Sequence, residues 1–214
     1  MGVGKSEKKN YLTISYGKLR QRTTESDPEA QSRYSDTLGK EIWERVYNWV
    51  EGKITSIFYK ESKEYGNSFE VTLDDGKDRF NISFKEKSRY CTDFLSKLPN
   101  IDLDSFVRIT PYDFIPEGKE SAIMGVSLKQ FDKKIENHFV SKDEKGNIIY
   151  KSGFPKWQKD MDDDEFQMYL VRLRKFLRNY TKENIIPKLT KPTEEKIPED
   201  VPEPVVEEND DLPF

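Results

Sequence analysis

Three short stretches and two single residues hold residue types able to do chemistry. Asp162-Asp163-Asp164-Glu165 groups four carboxylates, the oxygen donors a hard divalent cation takes. They stand directly before an amphipathic stretch, however, where acids cap a helix and complement its dipole. Asp74-Asp75-Gly76 is turn chemistry between two alternating runs. Gly2-Val3-Gly4-Lys5-Ser6 echoes a phosphate-binding loop but lacks its spacing and any preceding strand. His138 and Cys91 are the single histidine and single cysteine, which leaves no Cys/His metal cluster and no disulfide framework. His138 is also distant in sequence from any plausible nucleophile. The expectation is a chain without catalytic residues, cofactor or metal.

A different chemistry is written at the C-terminal end, Glu207-Glu208-Asn209-Asp210-Asp211-Leu212-Pro213-Phe214. Acids lead into a small apolar tip, and Phe214 carries a carboxylate. That is the composition of a hook, with charges for a basic rim and a ring for a pocket. Solubility alone explains the acids but not Leu-Pro-Phe. Asp210-Asp211-Leu212-Pro213-Phe214 resembles the C-terminal tip of bacterial and phage single-stranded DNA-binding proteins, with Leu212 where an Ile is usual. The resemblance covers only these last residues. It implies that Phe214 fills a partner's pocket while Asp210 and Asp211 meet its rim. The partner would be a polymerase, helicase, primase or nuclease. The stretch before the tip is short, acidic and proline-rich, unlike the long Gly/Gln-rich linkers of bacterial members, which points toward a phage-type protein.

If the body coats a single strand, it needs cations to track phosphates and flat rings to stack on unpaired bases. With Ile54, Val71, Ile82 and Ile109 facing an interior, Lys53, Tyr59, Thr72, Arg79, Asn81, Ser83, Arg108 and Tyr112 fall on the opposite face. Trp43, Tyr47 and Trp49 add an aromatic cluster, and Lys60, Lys85 and Lys87 stand near the ends of the strands. The DNA-binding candidates are therefore Trp43, Tyr47, Trp49, Lys53, Tyr59, Lys60, Arg79, Asn81, Lys85, Lys87, Arg108 and Tyr112. An aromatic in a strand is more often core than platform. Phe69, Phe80 and Phe84 are assigned to the core by phase.

The elements that must position these residues are mostly strands. Tyr11–Tyr16 alternates, and the polar segment Thr23–Ser35 with Pro28 reads as a loop. Trp43–Lys60 is rich in aromatic and β-branched residues, with Gly52 marking a bulge or bend. Phe69–Leu73 and Phe80–Phe84 flank Asp74–Lys77 as a hairpin. Helical spacing follows over Ser88–Leu98, then strands over Ser105–Phe114 and Ser121–Gln130. A small hairpin is expected around Glu144–Asn147. Met161–Tyr180 reads as an amphipathic helix with a stripe of Phe166, Tyr169, Leu170, Leu173, Phe176 and Leu177. This order matches the OB-fold, a five-stranded Greek-key barrel that binds oligonucleotides.

Composition sets the frame. A chain of 214 residues with 36% charged residues and thirteen Phe holds one moderate domain plus appendages. No apolar run is long enough to span a membrane, and the start lacks a secretory signal, so a cytoplasmic protein is expected, in the host cytoplasm if viral. The net charge of −4 is uneven: Pro192–Phe214 carries nine acids against one base, leaving a mildly basic body. The expected architecture is mainly β. Residues 1–42 form an N-terminal arm, 43–160 an OB-like barrel with added strands, 161–180 a helix and 181–214 a disordered acidic tail. The expected function is binding and protecting single-stranded DNA during replication, recombination or repair, with partner recruitment through the tail. The alternatives are a strand-annealing or recombination mediator, an interaction adaptor that binds no DNA, and a metal-dependent nuclease. A homo-oligomer is compatible with all of these.

Overall fold

The computed structural model describes residues 10–35 and 38–189. The Gly2–Ser6 stretch and the acidic segment with its Asp-Asp-Leu-Pro-Phe tip lie outside the described residues.

Ten strands form one sheet. In chain order they are β1 (Asn10–Ser15), β2 (Lys18–Thr23), β3 (Gln31–Ser35), β4 (Lys40–Tyr47), β5 (Val50–Lys60), β6 (Ser68–Asp74), β7 (Arg79–Lys85), β8 (Phe106–Phe114), β9 (Ile123–Gln130) and β10 (Lys133–Lys134). They lie side by side as β10-β9-β8-β5-β6-β7-β1-β2-β4-β3. Only β1 and β7 pair in parallel. A two-stranded hairpin, β11 (Val140–Lys142) with β12 (Ile148–Tyr150), stands apart. Among the described residues there are also three α-helices, α1 (Arg89–Lys97), α2 (Asp163–Asn184) and the short α3 (Ile186–Leu189).

The sheet is not a closed barrel. The outer edge of β7 takes β1 as its partner, so no ladder joins β7 to β9. The sheet nevertheless curls until the β1–β2 turn abuts β8. Gly17 sits there at φ 66°, and a Cβ on it would lie 2.6 Å from the Asp113 backbone nitrogen. Its N–H donates to the Tyr90 hydroxyl at 3.0 Å. Only glycine meets both the left-handed backbone and the close approach.

Residues 1–42 were expected as an arm, with a strand over Tyr11–Tyr16 and then a loop; their described part supplies β1, β2, β3 and the start of β4 to this sheet. Leu12 and Leu19 belong to the main core. The polar Gln31–Ser35 is a strand because β4 offers it a ladder on one side, with Arg33 held by Glu44. The Phe69–Leu73 and Phe80–Phe84 runs pair as expected across the Asp74–Lys77 turn. There, Asp74 Oδ1 accepts from the Gly76 N–H at 2.8 Å.

The concave side of the curled sheet is the core, filled by residues such as Ile54, Phe69, Val71, Ile82, Ile109 and Leu128. Helix α1 covers it, capped by Ser88 accepting from the Cys91 N–H at 3.1 Å. Phe94 stacks on Phe84 with centroids 4.5 Å apart. The buried Lys97 is satisfied by Asp93 and by the Val126 carbonyl at 2.6 Å, tying α1 to β9. Helix α2 starts with a capping box between Asp162 and Glu165, the use the four-acid run was expected to have. It buries Leu173, Leu177 and Thr181.

Candidate nucleic-acid interface

The convex side of the sheet carries a groove of about 700 Å³ over β5, β6, β7 and β1. Strand pairing fixes its contents row by row. One row runs Phe58, Glu70, Ser83, Thr13 from β5 to β1. The next runs Ser56, Thr72, Asn81, Tyr11. Above the first row, Lys60 and Lys85 flank Ser68, and below the second, Lys53 and Arg79 flank Asp74. Two rings therefore stand at opposite corners of a polar floor with cations at both ends. Four strands make the floor about 14 Å wide.

Both rings face solvent: Tyr11 is 60% exposed and Phe58 47%. Rings so exposed add little buried area to the core on the other side of the sheet. The floor is polar, exposed at Ser56 and Thr13 and most sheltered at Glu70. Glu70 is only 9% exposed, and its Oε1 accepts from the Ser68 and Ser83 hydroxyls, each at 2.8 Å. Asn81 Oδ1 is buried without a hydrogen-bond partner.

Phe58 occupies the corner because of a bulge. The β5–β6 register shifts between Ile54 and Ser56, so Thr55 is an extra residue. Before it, Ile54 points inward and Lys53 outward. After it, Ile57 and Tyr59 point inward and Phe58 outward. Strict alternation from Ile54 puts Tyr59 on the outer face, and the bulge reverses that. The bulge falls at Thr55, not Gly52. Gly52 instead allows a close backbone approach, since a Cβ there would lie 2.9 Å from the Asp74 carbonyl oxygen.

Tyr59 is accordingly bound into the fold. Its ring packs against Phe69 at 5.0 Å, and its hydroxyl donates to Glu86 Oε2 at 2.9 Å. The Tyr59 hydroxyl oxygen in turn accepts from Asn67 Nδ2 at 2.6 Å and from Arg178 Nη1 at 3.2 Å. Burial, the largest influence, pushes the Tyr59 phenol above its ordinary range, and Glu86 adds to this against Arg178.

The remaining candidates divide by position. Lys60, Arg79 and Asn81 line the groove, as do Thr72 and Ser83. Arg79 Nε donates to Asp74 Oδ2 at 3.0 Å. Lys85 stands at the groove's end, with its Nζ donating to the Tyr65 carbonyl at 3.0 Å. On the same side but toward β8, Lys53 meets Asp104 at 3.1 Å. There too Arg108 bonds Glu51 and lies over the Trp49 ring at 4.5 Å. Tyr112 is turned away, its hydroxyl donating to Asp93 Oδ2 at 3.4 Å. Trp43 and Tyr47 lie on β4, beyond β1 and β2, on the face that carries Leu19. The Tyr47 hydroxyl donates to Gln21 Oε1 at 2.9 Å. Lys87 follows β7, and its carbonyl accepts from Arg174 of α2 at 3.4 Å. The groove thus brings together Lys60, Arg79 and Asn81, with Lys85 and Lys53 at its ends, and leaves the other candidates elsewhere.

Tyr11, Phe58 and Glu70 were missed from the sequence. Tyr11 was legible, since it alternates with Leu12 and Ile14 in a strand already expected. Phe58 had a subtler signal: Ile54 and Ile57 are both apolar yet three apart, a spacing that one strand face accommodates only with a bulge. Glu70 looked like an ordinary exposed acid.

The other reactive groups are accounted for by structure. Burial, the largest influence, pushes the Cys91 thiol far above its ordinary range, so it is not an activated nucleophile. His138 Nδ1 contacts Asn100 Oδ1 at 2.6 Å and Nε2 contacts Lys151 Nζ at 2.8 Å. Burial and then the charges of Lys151 and Lys188 lower its pKa. Among the described residues no group of three or more His, Cys, Asp or Glu side chains is placed to hold a metal ion. Also among them, no helix is long and apolar enough to cross a membrane. No protein-family model, no curated protein and no solved structure matches this chain.

Proposed function

We propose that this protein binds single-stranded nucleic acid along the convex groove, without catalysis, and that its acidic C-terminal segment recruits partner enzymes. The observation that carries the reading is the pair of solvent-facing rings, Tyr11 and Phe58, across a polar floor with Lys60, Lys85, Lys53 and Arg79 at its ends. Unpaired bases stack on such rings, and each stack contributes about 1–3 kcal/mol. Duplex DNA hides its base faces and cannot use them.

The order of elements supports the same reading. β5, β6, β7, α1, β8 and β9 follow one another as the strands and helix of an OB-fold do, and β5 pairs with both β6 and β8. In this proposal β1 widens the binding face beyond β7 and contributes Tyr11. The Asp210–Phe214 tip serves replication or repair proteins, as its resemblance implies.

The test is fluorescence anisotropy of a labelled single strand, with a duplex of the same sequence as control and a salt series. The reading predicts binding to the single strand, weaker binding to the duplex, and affinity that falls with salt. Absence of salt-sensitive binding to the single strand would overturn it.

A further inference from the structure

Resting on that reading, the groove floor says which part of the strand faces inward and which bases suit it. Among the polar atoms between the two rings, two acceptors stand without a partner. Glu70 Oε2 makes no hydrogen bond among the described residues, while Oε1 already holds two serine hydroxyls. Asn81 Oδ1, in the neighbouring row, is buried with no partner. A carboxylate is acceptor-only, and a buried acceptor left unpaired is costly.

A phosphate cannot satisfy such a floor. It brings more acceptors and more negative charge to Glu70. The cations that suit phosphates are at the two ends, in the rows of Lys60 with Lys85 and of Lys53 with Arg79. The floor needs N–H donors, and in a single DNA strand these are on the base edges. We infer that bases enter the groove edge-first between Tyr11 and Phe58, and that Glu70 and Asn81 select bases carrying an exocyclic amino group.

The four bases differ sharply in this respect. Cytosine N4 and adenine N6 are amino donors, and guanine offers N1–H beside N2–H₂. Thymine and uracil present one N3–H between two carbonyl oxygens, which repel a carboxylate on either side. The groove therefore prefers cytosine over uracil, although the two have nearly the same shape and stacking area. Glu70 is a specificity-determining residue in this account, and the Ser68 and Ser83 hydroxyls are positioning groups that hold its carboxylate toward the groove.

The experiment compares oligodeoxycytidine with oligodeoxyuridine, each about 12 nucleotides long, since one binding module covers about 4–16. Deoxyuridine is used rather than thymidine so that no methyl group enters the comparison. Wild-type protein is expected to bind the cytidine strand at least about fivefold more tightly, the low end of what a good base contact discriminates. Glu70→Gln keeps an acceptor for the two serines and supplies a donor, so the ratio is expected to fall toward one, with uridine binding held or improved. Thermal unfolding of the variant checks that the fold is retained, and the wild-type ratio decides the matter without it. Equal or stronger binding of the uridine strand by wild type overturns the base preference and leaves single-strand binding intact. A preference that survives Glu70→Gln overturns the role of Glu70. Binding of neither strand overturns the proposed function and this inference with it.

Discussion

Phe58 holds its ring in water beside Glu70, while Tyr59, one residue on, has three hydrogen-bond partners and a packed ring. Their substitutions should therefore separate two properties. Phe58→Ala is expected to weaken single-strand binding by about 1–3 kcal/mol, measured by anisotropy, with an unchanged unfolding midpoint. Tyr59→Phe is expected to leave binding unchanged and to lower stability by roughly 1–3 kcal/mol, because Glu86, Asn67 and Arg178 lose a shared partner. A second residue-scale expectation concerns Glu44, buried on the convex side of β4 between Arg20 and Arg33. Burial pushes its carboxyl up, but hydrogen bonds and charge from Arg33 and then Arg20 outweigh this, and its pKa is lowered. Because the folded value lies below the unfolded one, the stabilisation is complete above the ordinary glutamate value of about 4.3. It is lost as pH falls through the lower folded value. Denaturant melts across the acidic range should show that slope, and Glu44→Gln should flatten it.

Strand β5 shows how an element accommodates one extra residue without changing which side chains reach the core. With Thr55 inserted, Ile54 and Ile57 both reach the core and Phe58 reaches the groove. Deleting Thr55 removes the bulge but keeps Ser56 opposite Thr72 and Ile57 opposite Val71, so Ile57 stays in the core and Phe58 in the groove. The deletion is expected to cost less than about 3 kcal/mol in urea denaturation, whereas a residue inserted between Ile57 and Phe58 turns the rest of the strand over and is expected to cost more. Most elements were legible in the sequence for plain physical reasons. The β6–β7 hairpin has clean alternation around an Asp-Gly turn, and α2 has a capping acid and an apolar stripe. Strands β2, β3 and β4 were not resolved individually, because their polar faces and arginine–carboxylate pairs give no apolar period to read. The closing partner of β7 was not legible either: which strand takes an open edge depends on contacts far apart in sequence, here β1 near residue 10 and β7 near residue 80. The groove was half legible. Its floor residues Thr72, Arg79, Asn81 and Ser83 followed from alternation and Tyr11 was within reach of the same argument, whereas Phe58 was hidden by the bulge.

At the scale of the whole molecule, charge is divided between a mildly basic body and the strongly acidic Pro192–Phe214 segment. A tethered polyanion competes with nucleic acid for the same cations. Removing residues 192–214 is therefore expected to raise single-strand affinity at low salt, with the difference shrinking as salt screens both partners. Unchanged affinity at low salt would remove the tail from the binding equilibrium. The account as a whole stands on Tyr11 and Phe58, which come from different strands and meet only because β1 joins β7. The most direct measurement is the affinity of a labelled single strand for wild type and for the Tyr11→Ala/Phe58→Ala double variant at one fixed salt concentration. Two lost stacks predict a weakening of at least about 30-fold, with folding and the weak duplex binding unaffected. Equal affinity of the two proteins for the single strand would contradict the groove as the binding site.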